Sequence, residues 1–243
     1  MIFEEKKIFK IFIDFDGTIS TTDVGEEFFL KFGNKEKARE IVRRWIDKEI
    51  NSRESWILLC ETIKNYIPNE FENFIDSIKI DEHFKSFADL CNKNGFDIFI
   101  VSDGFNYYID RILKNNGLDY IPRFYNRLEF GEKGEFIPVF PFPDEECKKC
   151  ANCKRNHILN NSGDNEFTIF IGDGYSDTCP AQFCDFIFAK QSLLKFCEIN
   201  RISFFPYSNF SDVKKRVESM LLKKKLKKRH QAELKRKEIY SLG

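Results

Sequence analysis

No stretch of the 243 residues stays apolar for the roughly 18 positions that a bilayer-spanning helix needs, so no membrane span is expected. Nothing reads as a secretory signal either: Glu4, Glu5, Lys6 and Lys7 charge the opening residues, and the apolar run behind them breaks at Asp14. No internal repeat is visible, which sets aside solenoids and arrays. Net charge is absent too, with 39 Lys and Arg against 39 Asp and Glu. That zero hides an asymmetry. From Val213 to Gly243 there are 12 basic residues against 3 glutamates, and the rest of the chain holds 27 basic and 36 acidic residues. The tail thus differs in kind from the body.

What is present describes a folded globular chain. Hydrophobic residues make up 42% and charged residues 32%, a balance that argues against disorder. The length suits one sizeable core, or a core with an inserted lid. Eight cysteines in a chain read as having no secretory signal point to a reducing compartment, the cytoplasm, where thiols stay reduced or bind metal.

The chain is organised around Ile11-Phe12-Ile13-Asp14-Phe15-Asp16-Gly17-Thr18. Ile8 to Ile13 reads as a strand buried on both faces, as in a parallel sheet. Two acids follow at its C-terminal end, where open α/β sheets place their ligand sites. Carboxylates held there are costly unless they bind something, and a divalent cation is the obvious partner. From about Gly25 the pattern turns helical and continues through Ile50. Asn51-Ser52 can cap a further helix through Ile63, and another covers Glu70 to Ile78. This helical block exceeds what a crossover requires and predicts a cap over residues 22–80. Glu82 to Asn94 reads as a helix stopped by Gly95, and Phe96 to Val101 as a strand ending at Ser102-Asp103-Gly104. A helix over Asn106 to Asn115 precedes a hairpin, Phe124 to Phe130 and Glu135 to Phe140, turning at Gly131-Glu132-Lys133-Gly134. Lys154 opens a helix, Phe167 to Ile171 is a strand ending at Gly172-Asp173-Gly174, and the last strands are Asp185 to Ala189 and Ile202 to Phe205. The expected architecture is an α/β, Rossmann-like parallel sheet with helices on both faces, an α-helical cap and a small hairpin. It divides into a core over residues 1–21 and 81–212, the cap, and a basic extension over 213–243.

Three strands therefore end in reactive residues, and Lys154 stands between the second and the third. These residue types suit phosphoryl transfer, in which a cation and donors neutralise the phosphate oxygens. Asp14 would attack phosphorus and form an aspartyl-phosphate. Asp16 would protonate the leaving oxygen and then take a proton from water. Ser102, nearby backbone amides and Lys154 would hold the phosphate oxygens. Asp173 would complete a magnesium shell, oriented by Asp177. Thr18, Asp23, Asp103 and Gly104 are the candidate substrate contacts.

In these residues the chain resembles the haloacid dehalogenase-like phosphohydrolases. Asp14-Phe15-Asp16-Gly17-Thr18 matches the DxDx[TV] motif, Ser102 the second motif, Lys154 the third, and Gly172-Asp173-Gly174-Tyr175-Ser176-Asp177 the fourth, GDxxxD. The resemblance covers residues 8 to 210. It implies metal ligation by the side chains of Asp14 and Asp173 and the backbone carbonyl of Asp16, with Asp177 in the same metal group. Cys147-Lys148-Lys149-Cys150-Ala151-Asn152-Cys153-Lys154 is similar to the Cys-rich loop of two related groups. One comprises methionine-salvage phosphatases acting on a 2-hydroxy-3-keto-5-methylthiopentenyl 1-phosphate, and the other phosphoethanolamine/phosphocholine phosphatases. Cys179-Pro180 after the fourth motif resembles the second, and Ser52-Arg53-Glu54 the first. Phosphoserine phosphatases share the general pattern; Asp23 could stand for their cap acid, but no counterpart of their cap arginine is evident.

Blander readings accompany these. Cys147, Cys150, Cys153 and His157 have spacing that would allow zinc, but reduced thiols packing a loop is the preferred reading. Trp45, Trp56, Phe28 and Phe29 could box a quaternary ammonium, but at helical spacing they read first as core. Asp23 and Glu26 could face a cationic substrate or simply favour a helix N-terminus. The tail could bind nucleic acid or an anionic surface; a last core helix running into a solvated charged extension is preferred. The expected activity is a magnesium-dependent phosphomonoesterase acting on a small phosphorylated metabolite. A phosphotransferase to a small alcohol, a polyanion-binding protein and a thiol-based sensor remain as alternatives.

Overall fold

The computed structural model describes residues 7–132 and 134–242; Glu4, Glu5 and Lys6, the Lys133 position of the expected hairpin turn, and Gly243 lie outside them. In chain order the elements are β1 (Phe9–Ile13), α1 (Val24–Phe32), α2 (Lys35–Ile46), α3 (Ser52–Glu61), α4 (Pro68–Ser77), α5 (Phe84–Asn94), β2 (Asp97–Phe105), α6 (Asn106–Asn115), β3 (Arg123–Phe130) and β4 (Phe136–Val139). They continue with α7 (Lys154–Asn160), β5 (Phe167–Gly172), β6 (Phe186–Ala189), α8 (Gln191–Ile199), β7 (Phe205–Pro206), α9 (Phe210–Leu221) and α10 (His230–Leu242). Seven strands, mostly parallel, alternate with helices, the α/β class expected. The chain folds as two compact units. One holds the stretch up to Asp14, Ile80–Ile100 and everything from Lys154 onward; the other holds Phe15–Lys79 and Val101–Cys153.

In the first unit the strand order is β2-β1-β5-β6-β7, and every pairing is parallel. β1 is central, and Phe9, Ile11, Phe12 and Ile13 are wholly buried. Apolar side chains on both faces are what a parallel strand needs. The chain's neighbours change side at β1, with β2 on one flank and β5 on the other. In open α/β sheets that reversal leaves a crevice at the strands' C-terminal ends. Asp14 stands there, one residue past β1, and Asp173 one residue past β5. Ile13 and Ile171 are in register, and the Asp14 amide donates to the Ile171 carbonyl at 2.9 Å. The last strand is shorter than expected. Phe205–Pro206 pair, while the Ile202 amide is taken by the Cys197 carbonyl at 2.9 Å, at the end of α8.

In the second unit the helices α1 to α4 and α6 share a core with the β3–β4 antiparallel pair. The single helical pattern expected from Gly25 to Ile50 is two helices, because the Asn34 side chain accepts from the Lys37 amide and starts α2 afresh. Asn51 does cap α3, and a reciprocal bond from its own amide to Glu54 completes a capping box. Pro68 begins α4, a position where its missing donor costs nothing. Phe28 lies against Phe32, Phe71, Phe74 and Phe136, with ring centroids 5.1 to 6.2 Å apart.

Ser102-Asp103-Gly104 does not lie past a strand as expected. β2 runs through it to Phe105. The polar groups that read as a turn are satisfied in the strand. Asn126 Nδ2 donates to the Asp103 carbonyl at 2.6 Å, and Asn152 Nδ2 to the Ser102 carbonyl at 2.7 Å. The tail also departs from a solvated extension, since α10 docks within the first unit: Ala232 is fully buried and Tyr240 donates to the Leu159 carbonyl at 3.2 Å.

Candidate active-site residues

The first unit gathers Asp14, Asp173 and Asp177. Each offers a carboxylate oxygen within 4.8 Å of the others, and all three residues are buried. Among the described residues this is the one group of three or more acids, histidines or cysteines close enough to share an ion, so Cys147, Cys150, Cys153 and His157 do not form such a group. Lys154 Nζ donates to Asp14 Oδ1 at 2.6 Å, to Asp177 Oδ1 at 2.7 Å and to Ser176 Oγ at 3.0 Å. Burial alone would lower the lysine's pKa, but the two carboxylates outweigh it and hold the ammonium above its ordinary value. Asp177 is fixed from its other oxygen, which accepts from the Asp173 and Gly174 amides at 3.0 Å each. Gly172 permits this, because a Cβ there would stand 2.4 Å from Asp177 Oδ2. The Leu193 amide donates to the Asp173 carbonyl at 2.8 Å. Lys190 feels Asp173, Asp81 and Asp14, yet its partial burial lowers its pKa.

Three buried carboxylates against the Lys154 ammonium leave a negative excess of about two charges if all are ionised. Buried charge of that kind needs a counter-charge. An all-oxygen donor set suits a hard divalent cation, so the residues present fit such an ion.

The second unit holds Asp16, Thr18, Asp23, Ser102, Asp103 and Gly104. Gly17 turns the chain at φ +70°, a left-handed conformation that suits glycine. Ser20 Oγ closes the turn, accepting from the Gly17 amide at 3.2 Å and lying 2.9 Å from the Phe15 carbonyl. Thr18 is buried in it. The Asp16 carboxylate accepts from four groups. The Val24 and Gly25 amides, in the first turn of α1, reach Oδ1 at 3.1 and 3.4 Å. Ser102 Oγ donates to Oδ2 at 3.2 Å, and the Tyr108 hydroxyl donates to the same oxygen at 2.9 Å. Burial and the nearby charge of Asp23 raise its pKa to about 7, against the pull of these donors. Asp23 caps α1, accepting from the Glu26 amide at 2.8 Å. Asp103 braces its surroundings, since its carboxylate accepts from Ser52 Oγ and from the Asn152 amide. Gly104 leaves room for Tyr108: a Cβ would lie 1.8 Å from that hydroxyl and 2.6 Å from Asp16 Oδ2.

Tyr108 and Lys190 were not singled out from the sequence. No motif marks Tyr108, and its position on the third residue of α6, just after β2, is the only available signal. Of the four residues considered for an ammonium box, Phe29 lies between Phe28 and Trp56, with ring centroids 5.4 and 5.8 Å away. Phe28 and Phe29 are buried, and Trp56 lies edge-on to Phe105 at 4.8 Å.

The family model described as "Putative Phosphatase" matches residues 9–203. A Bacillus cereus protein named 2-hydroxy-3-keto-5-methylthiopentenyl-1-phosphate phosphatase is 32% identical over 219 residues, 87% of this chain and 97% of its own length. A Bacillus anthracis protein of the same name is equally similar, at 32% identity with the same coverage. Among solved structures, a phospho-aspartyl intermediate analogue of phosphoserine phosphatase aligns with TM-score 0.65 at 21% identity, over 88% of this chain and 99% of its own. At that identity the likeness shows the fold. The matching fold, the run of motifs and the close relatives lead to one conclusion: the chain belongs to the Putative Phosphatase family and is a phosphatase of the haloacid dehalogenase type.

Proposed function

We propose that this phosphatase hydrolyses a small phosphomonoester through an aspartyl-phosphate on Asp14, with magnesium as its ion and a methionine-salvage enol phosphate as its substrate. The observation that carries the reading is the buried arrangement of Asp14, Asp173 and Asp177 around Lys154. It combines a carboxylate nucleophile, a fixed cation and an oxygen donor set in one place.

In the first step an Asp14 carboxylate oxygen bonds to phosphorus while the bond to the leaving oxygen breaks, and Asp16 gives that oxygen its proton. In the second, water attacks the phosphorus of the acyl phosphate. Asp16 takes the water's proton, and inorganic phosphate leaves with the Asp14 carboxylate restored. Lys154 holds Asp14 in place and offsets charge as it builds on the phosphate oxygens. Ser102 would be a further phosphate contact, and Thr18, Asp23, Asp103 and Gly104 would be the substrate contacts. Asp14, Asp173, Asp177 and, by the family resemblance, the Asp16 carbonyl would hold magnesium, which neutralises the phosphate oxygens when bound. The helical segment over 22–80 would act as the cap that excludes bulk water. The substrate class rests on the named Bacillus relatives, which align over nearly their whole length. The cysteine content supports a reducing, cytoplasmic setting.

The test is release of inorganic phosphate from a panel of phosphorylated metabolites, with magnesium and with chelator. The methionine-salvage ester is expected to lead, with activity lost in chelator. Asp14→Asn is expected to abolish turnover while leaving the circular dichroism spectrum unchanged. Magnesium-dependent turnover by that variant would overturn the mechanism.

A further inference from the structure

The two oxygens of Asp16 are served by different kinds of donor. Oδ1 receives only backbone amides, from Val24 and Gly25. An amide cannot turn round to accept, so a proton on Oδ1 would meet two N–H groups head on. Oδ2 receives only hydroxyls, from Ser102 and Tyr108. A hydroxyl can rotate and accept instead. Ser102 Oγ already accepts from the Gly104 amide at 2.9 Å, which leaves it less able to reverse. Tyr108 is buried, and the missing Cβ at Gly104 is what admits its hydroxyl.

Resting on the role proposed above for Asp16, we propose that Tyr108 is a positioning residue for proton donation: its hydroxyl places the acid proton of Asp16 on Oδ2 and holds the carboxyl in the orientation from which it is delivered. The amides on Oδ1 fix the other edge of the group. The hydroxyl neither reacts with the ester nor loses its own proton in the cycle.

The prediction is a dependence on the leaving group. An alkyl phosphate needs its leaving oxygen protonated, whereas p-nitrophenyl phosphate does not, because nitrophenolate leaves unaided. The value of kcat/KM reports the steps up to departure of that group. For Tyr108→Phe it is expected to fall about 30-fold for an alkyl ester and less than about threefold for the nitrophenyl ester, part of the roughly 100- to 10,000-fold that a whole general acid contributes. Gly104→Ala, which keeps the hydroxyl but crowds it, is expected to show the same selectivity. Equal losses on both esters would make Tyr108 a packing residue and overturn the inference, as would no loss on either. Asp14→Asn, assayed alongside, should remove turnover of both esters, so failure of the nucleophile assignment is seen separately.

Discussion

At the level of single residues the decisive quantity is buried charge. Lys154 is the ammonium bonded to both Asp14 and Asp177, with side chains 2%, 7% and 0% exposed. Lys154→Met keeps most of the volume and removes the charge. It should cost about 3 kcal/mol in chelator, as expected when one partner of a buried ion pair is lost, and lower kcat by at least about 100-fold. Thermal melts and steady-state kinetics check the two parts. His157, three residues along the same helix, is buried, and burial pushes its pKa down to about 4. In the unfolded chain its pKa lies near 6.5. Above that value the imidazole is neutral in both states and adds no pH dependence. As pH falls from 6.5 to 4 the unfolded chain takes up the proton and the folded one does not, so stability drops by about 3 kcal/mol. Urea melts across that window should show the loss, and His157→Gln should remove that part of the slope.

At the level of elements, short polar signals proved easier to read than their surroundings. Asn51 and Glu54 bond reciprocally at 3.0 and 2.8 Å. Asn51→Ala should therefore destabilise the fold by about 1 kcal/mol, measured by chemical denaturation, with little effect on activity. Such caps are legible because donor and acceptor lie within four residues. The same holds for Gly95, which ends α5 in the left-handed conformation. The buried strands β1 and β5 are legible for a related reason, as unbroken apolar runs. The end of β2 was not. A serine, an aspartate and a glycine look like a turn unless the distant Asn126 and Asn152 are known to satisfy them.

At the level of the whole molecule, neither unit is a continuous piece of chain, and the C-terminal tail lies beyond the family match at residues 9–203. The tail nevertheless takes part in the first unit. Arg236 donates to the Phe183 carbonyl at 2.6 Å and to Asp185 Oδ1 at 3.1 Å, and the other Asp185 oxygen accepts from Thr168. Removing the chain from His230 onward would leave Asp185 buried without that counter-charge. The melting temperature should fall, by an amount equivalent to about 3 kcal/mol, while phosphatase activity of the folded fraction persists. Arg236→Met should reproduce most of the loss; unchanged melting in both would show that the helix is only loosely attached.

The sequence by itself determined the class of fold and the family, and it named the residue types of the candidate site. Those are written in local patterns: apolar runs ending at Asp14 and Gly172-Asp173, an aspartate pair spaced by one residue, a lysine opening a helix. Only the tertiary structure decided which partners these residues have. Lys154 meets Asp14 across 140 positions and Asp177 across 23. Tyr108 reaches Asp16 across 92 and Arg236 reaches Asp185 across 51. A buried charge is stabilised by whatever stands within a few ångströms of it, and sequence spacing does not encode that neighbour.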